Sequence, residues 1–407
     1  MNRLRIPCDI CCLTAILPLF IVIAIAPSAH ACLWDNDTLA QERARMPGVH
    51  EAVIGFFPVH SPAYDEWRIG DRLRRLDELS DDDPARLPLY DDLAVSYDRL
   101  ERSREAIEIM ERALAMDPDR YETLANLGTV LVHAGRLDEG LVPLRRALEI
   151  NPDAHFGRER YQILVIDWAR HSMTEDGWMP PEESFELYLS SVKNGQTVVE
   201  GADAESISYD DAREAIVGML RFGRADSPIL LAALGSLLER AVDGKPTQQR
   251  LAAYAYLTAA EGARETGWTY AAKYYTEQAR DAIRMQENVP WEKLEENYRT
   301  ERPQALELRA LVAADEAQWI AAGEPVDERF QEKWLVDDLP VALQTVDHRA
   351  FTWAELGQLL FRIVTGIALL ILVLYLLLHY SQRNLDNEKV KGEWKQAMDE
   401  QTTDRHP

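Results

Sequence analysis

Three prolines, Pro84, Pro118 and Pro152, stand 34 residues apart each time. A fixed period of this length constrains the fold more than any local motif, because a repeating chain builds one supersecondary unit and stacks it on its neighbour. Phased on that period, a unit starting at Leu87 puts Tyr90, Leu93, Ala94, Tyr97, Ala106, Met110, Ala113 and Pro118 at positions 4, 7, 8, 11, 20, 24, 27 and 32. The next unit, from Tyr121, puts Leu124, Leu127, Gly128, Leu131, Gly140, Leu144, Ala147 and Pro152 there. Small residues at 8 and 20 let two helices approach closely, and large apolar residues at 4, 7, 11 and 24 fill the space between neighbouring units. Proline at 32 ends the second helix.

Across Leu87 to Ala154 these positions resemble the tetratricopeptide family, with Gly140 replacing the usual alanine and Leu131 replacing an aromatic. The resemblance implies an all-α fold, a solenoid of antiparallel helical hairpins. It also implies peptide recognition on the concave side, at repeat positions 2, 5, 9, 12 and 13. These are Pro88, Asp91, Val95, Asp98 and Arg99 in one unit and Glu122, Ala125, Thr129, Val132 and His133 in the other, with Asn126 at position 6. Three acids against one arginine make an acidic groove with apolar spots, which suits a basic or an extended neutral segment of a partner protein.

Two units seldom stand alone, since each buries its apolar face only against a neighbour. Before Pro84, "EWRIGDRLRRLDEL" reads as a helix, while Pro58 and Pro62 spoil a regular one ahead of it. The aromatics Trp34, Phe56, Phe57, Tyr64 and Trp67 are expected to cap the exposed end of the solenoid. Beyond Pro152, "HFGRERYQILVIDWARH" continues the helical pattern, and Arg158, Glu159 and Arg160 stand either as helix ion pairs or as a contact site. Five further segments between Pro181 and Glu287 carry apolar residues at spacings of three and four. Ser208, and Ser227 with Pro228, mark helix starts, and Gly223, Gly244 and Gly267 mark ends. Pro290 to Gly323 reads as a charged helix interrupted at Pro303, and Glu324 to Ala350 as a linker.

Both ends of the chain carry apolar segments. Arg3 and Arg5, the apolar run from Ile10 to Ala26 and the ending Ala29-His30-Ala31 form a signal-peptide pattern. Cleavage there leaves Cys32 as the one thiol of four, at the new N-terminus. Two readings of it stand, lipidation as in bacterial lipoproteins, whose lipobox the junction partly resembles, and ordinary cleavage that leaves a cysteine. The segment "IVTGIALLILVLYLLLHY" is long and apolar enough for a transmembrane helix, and Arg383, Lys389, Lys391 and Lys395 follow it. The positive-inside rule then puts the tail in the cytoplasm and the bulk outside it, in a bacterial periplasm.

A formal net charge of −25 over 407 residues opposes binding to nucleic acid. Motifs whose chemistry needs fixed spacing are absent: no phosphate-cradling loop, nucleophile elbow, zinc-binding His pair or calcium loop. Ser190 and Lys193 form a lone Ser-x-x-Lys without companions, and His50, His60, His133, His155, His171 and His348 are dispersed. Catalytic residues, cofactors and metals are therefore not expected. The expected layout is a leader at 1–31, an N-terminal cap at 32–86, repeats with a capping helix at 87–175 and further helix pairs at 176–290. A helical segment and linker at 291–358, a transmembrane helix at 359–380 and a tail at 381–407 complete it. The resemblance extends to exported, membrane-anchored bacterial tetratricopeptide proteins, and implies a scaffold or adaptor for other proteins in processes such as envelope assembly or secretion. The rival readings are an enzyme or small-ligand domain in 182–290 and a single-pass sensor.

Overall fold

The computed structural model describes residues 46–152, 157–174, 177–240, 246–284, 290–345 and 353–403. The expected leader, Cys32, Trp34, Gly244, His155 and His348 lie outside the described residues. The chain divides into two compact units, residues 1–346 and 347–407. Fifteen α-helices and one two-residue hairpin make up the regular structure among the described residues, an all-α architecture of consecutive helix pairs.

In the first unit the repeats fold as their period dictates. Helices α1 (Val49–Ile54) and α2 (Pro62–Asp77) precede two hairpins, α3 (Arg86–Arg99) with α4 (Ser103–Met116) and α5 (Tyr121–His133) with α6 (Leu137–Ile150). Ser61 caps α2 by accepting from the Tyr64 amide, with Pro62 at the first helical position. Between α3 and α4 the small residues Ala94 and Ala106 are fully buried. Between α5 and α6 the approach is tighter. A Cβ on Gly140 would stand 2.6 Å from the Gly128 carbonyl oxygen, and one on Gly128 would meet Leu144 at 2.5 Å. Glycine at both positions is what permits this crossing.

Helix α7 (Arg158–Arg170) continues the stack, followed by strands β1 (Met173–Thr174) and β2 (Gly177–Trp178), paired antiparallel. Next come α8 (Phe185–Lys193), a 3-10 turn at Ala204–Ser206, α9 (Tyr209–Phe222), α10 (Pro228–Glu239), α11 (Pro246–Glu265) and α12 (Thr269–Ala282). Ser208 and Ser227 cap α9 and α10 as their positions suggest. One continuous core runs from α7 to α12, filled by side chains such as Leu164, Phe185, Ile216, Leu234, Tyr254 and Trp178. Each such side chain contributes about 1.5–3 kcal/mol of burial. The described residues between 182 and 290 therefore enclose an apolar interior.

The largest departures from expectation lie at the two ends of this unit. Helix α13 (Trp291–Ala322) runs unbroken through Pro303, and α14 (Val326–Trp334) lies where a linker was expected. A proline inside a helix costs roughly 3 kcal/mol. Here Leu294, Tyr298, Ala305, Leu308 and Val312 bury one face of α13 and outweigh that cost, while Val326, Phe330 and Trp334 anchor α14 in the core. Phe56, Phe57 and Tyr64 do not cap the solenoid; each is at most 1% exposed, and Phe56 and Tyr64 belong to the core shared with α7 to α14. Helix α13, about 48 Å long at 1.5 Å per residue, packs against both α1 and α2. It straps the end of the array to its beginning.

In the second unit, α15 (Trp353–Thr403) is a single 51-residue helix. Its stretch Phe361–Lys395 contains an 18-residue window of mean hydropathy 2.6, none of it buried, and is long and apolar enough to cross a membrane. The expected tail continues as part of the same helix through Thr403.

Candidate functional site

The first helices of the repeats bond to one another through polar side chains. Asp92 of α3 receives Arg68 at 3.0 Å and Arg72 at 2.8 Å, both from α2. Asp91 accepts from the Arg120 guanidinium at 2.8 Å and from the Thr123 hydroxyl at 2.8 Å. Asp98 meets His133 Nδ1 at 2.7 Å, and the Gln162 amide of α7 donates to Thr129 at 2.8 Å. Charge-assisted bonds of this kind in a dry setting hold a unique register between neighbours.

These bonds decide where the groove residues lie. Asp91, Val95, Asp98, Ala125, Asn126, Thr129 and His133 are all at most 5% exposed. Glu122 and Arg99 keep side-chain exposures of 22% and 19%. The acids that read as a receptor surface thus serve the neighbouring repeats, and the ridge presents an ion-paired seam. Of these positions Glu122 and Arg99 stay partly open, and the repeat period by itself does not tell that the others are covered. Lys193 donates to the Ile207 carbonyl at 2.7 Å, so its amine is engaged away from Ser190. Arg158 and Glu159 are buried, with the Arg158 guanidinium over the Phe222 ring. Among the described residues no three His, Cys, Asp or Glu side chains converge as metal ligands.

A second set of polar contacts holds the extended segment after α1. Arg302 of α13 donates to the Ile54 carbonyl at 2.7 Å and to Asp226 at 2.8 Å. Glu316 accepts from the Ser61 amide at 2.9 Å and bonds His60 Nδ1 at 2.6 Å. His60 stacks between Tyr64 and Phe330, each ring centroid 3.8 Å away. Burial pushes the His60 imidazole down to about 4 although Glu316 pulls it back. At neutral pH it is uncharged and donates to the Glu316 carboxylate.

Where this segment meets the C-terminal end of α3, the concave ridge opens into a cleft of about 430 Å³. Asp98, Arg99 and Glu101 form one wall, Val59 and His60 the back, and the loop Gly223–Pro228 leading into α10 faces them. Gly262 and Glu265 of α11 and Arg309 of α13 complete it. A Cβ on Gly262 would collide with the Asp226 carbonyl, so glycine there lets the loop come down onto α11. Of the groove residues expected from the repeat, this cleft gathers Asp98 and Arg99.

Glu101 is the residue that the sequence reading missed and had the means to find. It adopts φ 61°, alone among the described non-glycine residues in the left-handed region. One period later the same position is Gly135, with φ 77°. A side chain with a Cβ costs about 1–2 kcal/mol in that conformation. The backbone there accepts strain, and the carboxylate it carries stands 78% exposed at the mouth of the cleft, 3.4 Å from Arg224. Arg224, Asp226 and Arg309 lie more than 120 positions from Glu101, and no spacing rule links them.

No curated protein matches the chain. A family model described as Tetratricopeptide repeat matches residues 99–164, which begins at Arg99 on the cleft wall and takes in α4 to α6 and the first half of α7. Period, hairpin geometry and this match agree that residues 99–164 form a tetratricopeptide repeat segment.

Proposed function

We propose that the protein is a membrane-anchored scaffold, its first unit outside the cytoplasm, that holds partner proteins at the open end of its repeat ridge. Tetratricopeptide repeats as a class mediate binding to other proteins, which supports an interaction role. The observation that carries the finer reading is the cleft at Asp98 and Arg99, where the otherwise sealed ridge stays open. The apolar helix α15, with basic residues following its most apolar part, supports the anchor and a cytoplasmic tail. The leader pattern supports export, and envelope assembly or secretion is the setting that fits both.

Photo-crosslinking residues placed at Glu101, at Glu122 and, as a control on α6, at the 65% exposed Val142 test the interaction reading in intact cells. One protein species captured from 101 and 122 but not from 142 is expected. Equal capture from all three sites removes the ridge as the contact surface. Cysteine labelling with a membrane-impermeant reagent, at positions in the first unit and near Lys391, tests the orientation. Labelling of the tail from outside would overturn it.

A further inference from the structure

Helix α15 does not end with its most apolar stretch. It runs without a break to Thr403, and its polar continuation carries Val390 and Trp394 at 52% and 70% exposure. Trp394 lies about 21 Å beyond Tyr380 along the axis, at 1.5 Å per residue, so the hydrocarbon that surrounds Leu376 in a bilayer does not reach it. Both exposed residues belong to one line of side chains. Val373, Leu376 and Tyr380 close the apolar stretch, and Arg383, Asn387, Val390 and Trp394 follow, at steps of three and four residues in strict alternation. This is heptad spacing, the period that keeps one face of a helix against a partner helix through a left-handed supercoil. The same line holds a shallow concavity of about 400 Å³, bordered by Val373, Leu376, Tyr380 and Arg383. Every side chain described between 361 and 395 is exposed, so nothing described in this unit covers the line.

We infer that α15 pairs in parallel with α15 of a second copy of this chain, along the line from Val373 to Trp394. This rests on the anchor reading and adds an oligomeric state to it. A line that begins in lipid and ends in water is covered along its whole length only by a partner that crosses the membrane beside it. A second copy carries the matching line at the same depth and in the same orientation. Position 387, which the heptad turns inward, is asparagine. An asparagine at such a position bonds its counterpart across the seam and fixes the register. The flanks are complementary as well. In a parallel pair the residue at 391 lies against the neighbour's residue five positions earlier, so a lysine meets the aspartate at 386. The present bond from Lys391 to Glu388, 3.0 Å long, lies in open water at 74% exposure and exchanges at little cost. Arg383 falls at the headgroup level, where its stem packs and its guanidinium turns outward. Paired anchors present two repeat ridges to one partner, and attachment at two points tightens binding without a new contact.

The test introduces single cysteines into the full chain in a Cys32→Ser background and oxidises isolated membranes. Val390→Cys and Trp394→Cys lie on the line, whereas Lys389→Cys and Gly392→Cys lie on the outer side of the supercoil. A disulfide-linked species of twice the chain's mass is expected at least fivefold more from 390 and 394 than from 389 and 392. Equal yields at all four positions, or none at any, overturn the inference. A linked species of another mass assigns the line to a different protein and overturns it too. Charge exchange tests the register. Lys391→Glu should lower the yield from position 390 at least threefold, and Asp386→Lys combined with Lys391→Glu should restore it. An unchanged yield in the first variant, or no recovery in the second, overturns the parallel pairing. Carbonate extraction of the same membranes separates the two readings. Chain retained in the bilayer while 390 and 394 yield no more than 389 and 392 leaves the anchor standing and this inference fallen, and chain released to the supernatant removes both.

Discussion

The repeat hairpins and the strap that closes on them are both helical, yet their contacts differ in how far they reach along the chain. In α3 to α6 the crossings within each hairpin are made by small residues at fixed positions, Ala94 against Ala106 and Gly128 against Gly140, and the buried polar pairs Asp91–Arg120 and Asp98–His133 also span about one period. In α13 the decisive side chains are charged and buried: Glu301 and Glu316 at 0% exposure and Arg302 at 7%. Their partners, His50, Ile54 and His60, lie about 250 positions away in the sequence. Hairpins of the first kind tolerate charge changes on their outer faces and resist added volume. A strap of the second kind tolerates little loss of charge, because each deletion strands a partner in a dry place.

The sharpest way to break this contrast is to remove one cation from each region. Arg302→Ala takes a buried guanidinium from Ile54, Asp226 and Glu261 together and is expected to cost about 3–5 kcal/mol. Arg136→Ala breaks an exposed pair with Glu139 on a hairpin and should cost under about 1 kcal/mol. Chemical denaturation of both variants measures the difference, and similar losses would dissolve the contrast. Acidification probes the strap in another way. The folded His60 holds its proton only near pH 4, whereas the unfolded side chain takes it up near 6.5. The unfolded state therefore binds more protons between those values, and stability present above pH 6.5 is lost as pH falls toward 4, to the extent of about 3 kcal/mol. His60→Gln keeps a donor toward Glu316 and cannot titrate. The difference between wild type and this variant should carry the slope, and parallel pH profiles would refute it.

What could be read from the sequence follows the same division. The hairpins were legible because their contacts recur at 34 residues, so Pro84, Pro118 and Pro152 announce them without any knowledge of distant partners. The strap was not, since Glu301, Arg302 and Glu316 look like a solvated helix face until residues 50–61 are laid against them. Phe56 and Phe57 were misplaced for a related reason: aromatics ahead of a solenoid are as consistent with capping its end as with filling its interior. For the groove positions, period alone cannot say that Asp91 and Asp98 are claimed by Arg120 and His133. The departure from the period, Glu101 against Gly135, is visible in the sequence but takes its meaning only from the left-handed backbone that both adopt.

Volume is the corresponding weakness of the hairpins. Gly140→Ala places a methyl 2.6 Å from the Gly128 carbonyl oxygen and from Val132, and backbone cannot swing away as a flexible side chain would. The expected cost is about 2 kcal/mol. In the preceding hairpin the reverse change, Ala106→Gly, opens space at a position where alanine already fits and should cost about 1 kcal/mol through helix propensity. Thermal melts that rank these two the other way would show that the hairpins pack alike despite their different small residues.

The smallest effect compares the turns of the two hairpins. Exchanging Glu101 for Gly gives the α3–α4 hairpin the turn residue of the α5–α6 hairpin and removes a Cβ from the left-handed region, for a gain of about 1 kcal/mol after the extra freedom of unfolded glycine is set against the relief. The lost pair with Arg224 offsets little of it, because Glu101 is 78% exposed. Gly135→Glu performs the opposite exchange and should cost a similar amount. Equal and opposite shifts in urea midpoint would establish that the glutamate is held against the preference of its own backbone, which is hard to explain by folding and straightforward to explain by a ligand at the cleft. If Glu101→Gly destabilises the fold, the side chain supports structure after all, and the strain gives no reason to look for a ligand there.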